Sequence, residues 1–345
     1  KLHTVSDNLK SKIDSKQCES VTNGKLTKLY VLKNKNGLEA TFTNFGQRLV
    51  SLMVPDKHGV FDDIVLGFSS SKGYKTSKGN YFGATIGRYG NKIANGEFSI
   101  AGETYKLAIN NGKNYLHGGI NGFNNVVWDV RQLNNNEIEF TRISPDMEEG
   151  YPGNLRITVH YTLTNNDTLQ INYTATTDKP TIVNLTNHSF FNLAGEGNGD
   201  VGNHLLMINA DFYTPVNQDL IPTGAILKVE ETPFDFTNLK PIGQDLDADN
   251  EQLQYAKGYD QNYVLNKTPK NKQVLVLAAK VMEPNSGRIM EVYTNEPGIQ
   301  FYEGNFLDGG AIGKSGKPYV YRGDFCLETQ HFPNSPNQPN FPSIL

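Results

Sequence analysis

The chain has 345 residues, a formal net charge of −4 and 32 Lys+Arg scattered among 36 Asp+Glu, which excludes nucleic acid as the expected partner. Its two cysteines, Cys18 and Cys326, define neither a disulfide framework nor a Cys-x-x-Cys metal pair, and no apolar run approaches the roughly 20 residues of a membrane-spanning helix. Thirty-nine Asn and 33 Gly, residues suited to turns with positive φ, accompany 17 Tyr, 18 Phe and one Trp, so many short strands joined by turns are predicted.

Residues 1–28 read as an N-terminal tail or short lead-in, with a helical turn or a loose segment over Asp7–Lys16. The sequence opens on Lys1 rather than Met, so a removed signal peptide is an expectation held open. Cytoplasmic and periplasmic or extracellular locations both remain open with it. From Leu38 the pattern alternates, Leu38, Ala40 and Phe42 against Glu39, Thr41 and Thr43. Three hairpins follow. Glu97–Ile100 pairs with Thr104–Ala108 around Ala101-Gly102-Glu103, and Val126–Leu133 pairs with Glu137–Ile143 around Asn134-Asn135-Asn136. Leu155–Thr164 pairs with Thr168–Thr177, placing Leu155, Ile157, Val159, Tyr161 and Leu163 on one face. Helical periodicity is confined to a short acidic candidate, Ile242–Gln254. No linker or repeat divides residues 29–345, which read as one all-β domain, a large antiparallel β-sandwich.

Two strands carry candidate chemistry. In Thr181–Leu193, TIVNLTNHSFFNL, a strand puts Asn184, Thr186, His188 and Phe190 on one face, delivering a group that titrates near neutrality into a polar row. In Phe325–Pro333, FCLETQHFP, Glu328 stands among apolar neighbours that raise a carboxyl pKa, as a general base or acid requires. Glu328-x-x-His331 has the spacing of a helical metal-ligand pair, but the segment is not helical and Pro333 follows, so no metal site is read there. His160, on the wet face of its strand, reads as structural. Loop clusters Gly87-Arg88-Tyr89-Gly90-Asn91-Lys92, Leu116-His117-Gly118-Gly119 and Gly258-Tyr259-Asp260-Gln261-Asn262-Tyr263 interleave polar groups with aromatics, a combination that suits sugar hydroxyls and C–H faces. The first lacks the Gly-Lys-Ser/Thr sequence and following helix of a phosphate loop.

Taken together, and in this order, the segments GRYGNKI, LHGG, NLTNHSFFNL, GYDQNY and LETQHFPNSPNQPNFPS resemble those of the aldose 1-epimerase (galactose mutarotase) family from about Leu29 to Ile344. The resemblance implies a mutarotase that interconverts the α and β anomers of hexoses such as D-galactose and D-glucose. His188 would be the general acid and Glu328 the general base, with Asn91, Lys92, His117, Asp260 and Gln300 holding the sugar. It implies no metal or organic cofactor, an aldose as small-molecule partner, and a monomer or homodimer. The chain departs from the family pattern at Lys92, where Arg is usual, and at Phe190, where Tyr is usual. It also stops about where related sequences continue into another strand.

The chemistry matches the residue types, because ring opening removes the C1 hydroxyl proton while the ring oxygen is protonated. Three alternatives are carried forward. A glycoside-cleaving enzyme would use Asp260 with Glu328. A non-catalytic sugar-binding module would bind without accelerating mutarotation. A hexose-phosphate mutarotase would recruit Arg88 and Lys92 to a phosphate, although no Arg cluster is evident.

Overall fold

Burial follows the alternation of Leu155–Leu163 residue by residue. In the computed structural model, which describes residues 9–76, 81–267 and 274–345, the five inward side chains are 1 % exposed or less, while Arg156, Thr158, His160 and Thr162 reach solvent. Each buried side chain of this kind contributes roughly 1.5–3 kcal/mol. The strand pairs with Leu169–Thr177 and with Glu137–Ser144, which in turn pairs with Asp129–Asn134, giving a four-stranded antiparallel meander. A second meander comprises Leu29–Lys33, Glu39–Thr43, Arg48–Pro55 and Phe61–Asp63. A third sheet orders Lys240–Pro241, Leu205–Ile208, Val276–Met282 and Ile289–Thr294. The fold is an all-β antiparallel sandwich whose sheets share one core, in which Phe42, Phe140, Tyr161, Ile208, Val281 and Phe301 are buried together.

Several boundaries differ from the sequence expectation, each for a local reason. The hairpin Glu97–Ile100 and Glu103–Lys106 turns through two residues, because Ala101 (φ 50°) and Gly102 (φ 83°) both adopt the left-handed backbone that a tight hairpin turn needs. The strand expected from Val126 starts at Asp129, since the Val126 carbonyl is engaged by the Gly46 N–H and Val127 bridges Phe45. The helix expected over Ile242–Gln254 is confined to Glu251–Ala256. The N–H groups of Ile242 and Gly243 bond instead to the carbonyls of His204 and Gly202, and Asn250 caps the short helix by accepting from Gln252 and Leu253. Asp7, where the N-terminal turn was expected to begin, lies outside the described residues. Further on, Ser15–Cys18 forms one turn, and Leu9, Ile13 and Cys18 pack with Leu29, Val31 and Phe45.

The five-stranded sheet decides where the chemistry sits. Its order is Leu227–Lys228, Phe212–Thr214, Asp260–Val264, Gly298–Tyr302 and Cys326–Gln330. The register pairs Thr214 with Asn262, Asn262 with Gln300, and Gln300 with Glu328. Side chains two apart share a face, so Thr214, Asp260, Asn262, Gln300, Glu328 and Gln330 form one polar surface. Tyr263, Ile299, Phe301 and Leu327 point the other way, into the shared core. Thr181–Leu193 is laddered only over Thr186–His188, against Ala84–Ile86, because the rest of the segment bridges successively to Tyr89, Val65 and Phe325.

Candidate active site

A cleft of ≈ 820 Å³ opens over the polar face of this sheet, within the size range of small-molecule sites. His188 and Glu328, 5 % and 2 % exposed, both line it. His188 Nε2 lies 3.3 Å from Glu328 Oε1. Among the described residues, neither Glu328 Oε1 nor His188 Nδ1 has a hydrogen-bond partner. The imidazole is held between two rings, Phe190 at 4.7 Å (16° between planes) and Tyr81 at 5.6 Å (17°), with His117 edge-on at 5.0 Å. Phe190, two residues beyond the end of the strand at His188, stacks on the imidazole, and its own ring is boxed by Phe82 and Tyr302.

The two glycine-containing loops meet beside this pair. The strand pair Lys92–Ile93 and Tyr115–Leu116 brings them together, and His117 N–H donates to the Asn91 carbonyl at 3.0 Å. Gly118 adopts φ +93°, and a Cβ there would lie 2.2 Å from the Gly87 carbonyl oxygen, so only glycine allows the loops to approach so closely. In return, the Asn91 N–H donates to His117 Nδ1 at 2.9 Å. A neutral His117 therefore carries its proton on Nε2 and is a donor at that nitrogen. Lys92, 8 % exposed, donates from Nζ to the Asp219 carbonyl at 2.9 Å. Asp260 completes the lining, its Oδ1 accepting from Gln300 Nε2 at 2.8 Å. Gln300 borders an adjoining recess of ≈ 20 Å³ together with Asn91, Lys92 and Asp260.

Burial dominates the electrostatics. It pushes Glu328 well above the usual carboxylate range, with the Asp260 charge adding to the effect, and it lowers His188 to about 3. His117 falls well below its ordinary value for the same reason, assisted by His188 and Lys92. Asp260 is raised by burial against the opposing Gln300 hydrogen bond and Lys92 charge, and Lys92 is lowered by burial against Asp260 and Asp219. Ligand atoms of His117, His188 and Glu328 lie within 4.8 Å of one another, close enough for a metal's ligand set. The donor set nonetheless fits a cation poorly, because His117 Nδ1 is occupied by Asn91 and its other nitrogen carries a proton instead of a lone pair.

All seven residues singled out by resemblance thus line the cleft or its recess. Arg88 does not. Its guanidinium is turned into the protein, donating to Ser144 and to the carbonyls of Ser144, Pro145, Pro152 and Gly153. His160 pairs with Glu137 at 3.4 Å outside the cleft, and His331 with Glu296. Sequence reading missed Tyr81, Phe82, Tyr302 and the Asp219–Leu220 turn. The aromatics stand at unremarkable strand and loop positions, and the turn contributes a backbone carbonyl that no side-chain pattern announces.

The family model described as aldose 1-epimerase matches residues 28–345. A galactose mutarotase of Sus scrofa is 48% identical over 308 residues, 89% of this chain and 86% of the relative. An aldose 1-epimerase of Escherichia coli is 39% identical, covering 92% of this chain and 90% of the relative. Among solved structures, an aldose epimerase homologue from C. elegans superimposes with a TM-score of 0.84 at 32% identity, covering 92% of this chain and 94% of that one.

Proposed function

The chain belongs to the aldose 1-epimerase family and is a mutarotase, an isomerase interconverting the α and β anomers of aldoses; we propose that His188 and Glu328 move the protons. The observation that carries this assignment is the pairing itself. Two proton-active groups 140 residues apart in sequence (328 − 188) meet at 3.3 Å, both buried, with Glu328 Oε1 and His188 Nδ1 unpartnered among the described residues, in a cleft lined by polar and aromatic side chains.

Ring opening needs an acceptor for the C1 hydroxyl proton and a donor to the ring oxygen, and both oxygens are bonded to C1. Glu328 takes the hydroxyl proton and His188 gives one to the ring oxygen, the bond from C1 to the ring oxygen breaks, and an open-chain aldehyde forms. After rotation about C1–C2 the roles reverse and the other anomer closes. The pair must therefore hold one mobile proton. Sequence reasoning places it on His188, whereas burial favours neutral His188 beside protonated Glu328. The two arrangements contain the same number of protons, so the pair titrates as a unit and is active between its two macroscopic pKa values. Its kcat/KM profile is bell-shaped. The Lys92 ammonium, the Asp260 carboxylate, the His117 Nε2–H and the amides of Asn91 and Gln300 offer the donors and acceptors that a neutral hexose requires. A phosphorylated sugar fits less well, because Arg88 is committed elsewhere. Polarimetry on freshly dissolved α-D-galactose and α-D-glucose tests the reading: acceleration must vanish in Glu328→Gln and in His188→Asn.

A further inference from the structure

Gln330 stands two residues beyond Glu328 on the same polar face, is fully buried and does not line the cleft. Both hydrogens of its amide are used. Nε2 donates to Gln300 Oε1 at 3.0 Å and to Asn262 Oδ1 at 3.0 Å. With its oxygen taken, Asn262 turns its Nδ2 to Thr214 Oγ1 at 3.3 Å. With its own oxygen taken, Gln300 turns Nε2 to Asp260 Oδ1 at 2.8 Å. An ionised carboxylate only accepts hydrogen bonds, so Asp260 demands the nitrogen end of Gln300. That choice leaves the Gln300 oxygen buried and in need of a donor, which Gln330 supplies. The amides run with one polarity, from Gln330 through Gln300 to Asp260.

We propose that Gln330 is a positioning residue for the isomerase reaction: it fixes the amide direction of Gln300 and thereby orients the Asp260 carboxylate toward the sugar. The inference rests on the assignment of Asp260 to sugar binding. Its logic is that of a buried polar network, in which removing one donor orphans an acceptor and frees an amide to rotate. The same relay opposes the tendency of burial to neutralise Asp260.

A double-mutant cycle in the intact enzyme tests it, reading mutarotation kinetics on α-D-galactose for Gln330→Met, Gln300→Leu and the pair. Gln330→Met keeps the length of the side chain and removes the donor. It should raise KM about 10-fold with kcat within about 3-fold of wild type, and adding it to Gln300→Leu should change nothing more. Gln330→Leu, which also removes both N–H donors, should raise KM likewise. It serves as the second variant should Gln330→Met fold poorly. Asp260→Asn separates the two levels of the argument. If Asp260→Asn lowers kcat/KM but the Gln330 variants keep the wild-type KM, or if the cycle is additive, the relay is refuted and the sugar site stands. If Asp260→Asn itself leaves kcat/KM unchanged, Asp260 does not hold the sugar and the relay falls with it.

Discussion

Replacing His188 by Asn removes the proposed proton donor and, through the same burial, should make the folded protein more tolerant of acid. Burial lowers the His188 pKa from its ordinary 6.5 to about 3. Between these values an unfolded chain binds a proton at this position and the folded chain does not, so stability falls as pH falls. At 1.36 kcal/mol per pH unit, the interval from 6.5 down to pH 5 removes about 2 kcal/mol from the wild type. Asn carries no such proton, so His188→Asn should lose about 2 kcal/mol less than wild type between pH 7 and pH 5, read by urea denaturation at the two values. Polarimetry on the same preparations should give a kcat lower by ~10²-fold or more, because one of the two proton transfers has lost its group. Equal pH dependence of stability in the two proteins would show that His188 is not held neutral by burial. A kcat within a few-fold of wild type in folded His188→Asn would refute its role in proton transfer.

Five further outcomes follow from the same physics of burial and contact. Glu328→Gln should lower kcat by ~10²-fold or more, and combining it with His188→Asn should be little worse than the poorer single variant, since the pair moves protons as one unit; polarimetry on all three decides. Because Glu328 is raised by burial, wild type loses stability as pH rises above the ordinary carboxylate range, and the Gln variant should resist urea better at pH 8. Lys92→Arg should be tolerated with an equal or lower KM, while Lys92→Ala should weaken kcat/KM by removing the cation beside Asp260; steady-state kinetics on galactose would show an error here as an unchanged Lys92→Ala. Glu303, fully buried and accepting the Tyr259 N–H, is raised from 4.5 to about 7, so Glu303→Gln should be more stable by about 3 kcal/mol at pH 9 and no more stable at pH 4, with urea midpoints at the two pH values as the check. Chelator and added divalent ions should leave activity unchanged, as the proton on His117 Nε2 implies; loss of rate in chelator, restored by a metal, would overturn that tautomer argument.

Alternation alone determined the all-β class and the inward face of Leu155–Leu163, because a two-residue period is a property of the strand itself and needs no partner. Ordered local motifs that resemble those of the aldose 1-epimerase family singled out His188, Glu328, Asn91, Lys92, His117 and Asp260, whereas Gln300, which lies in none of them, came from the resemblance alone. What the sequence could not contain was register. Only the pairing of Asn262 with Gln300 and of Gln300 with Glu328 puts Asp260, Gln300, Glu328 and Gln330 on one face. Only the bridging of Thr181–Leu193 to several different strands ends the ladder at His188 and brings its ring to Glu328. Tyr81 and the Asp219 carbonyl reach the cleft through contacts between distant segments. Arg88, which the sequence set beside Lys92, is drawn into the protein by four carbonyl oxygens that no local pattern announces. The electrostatic state was decided last, because a carboxyl or imidazole takes its pKa from the water that folding removes, and that depends on every segment closing over it.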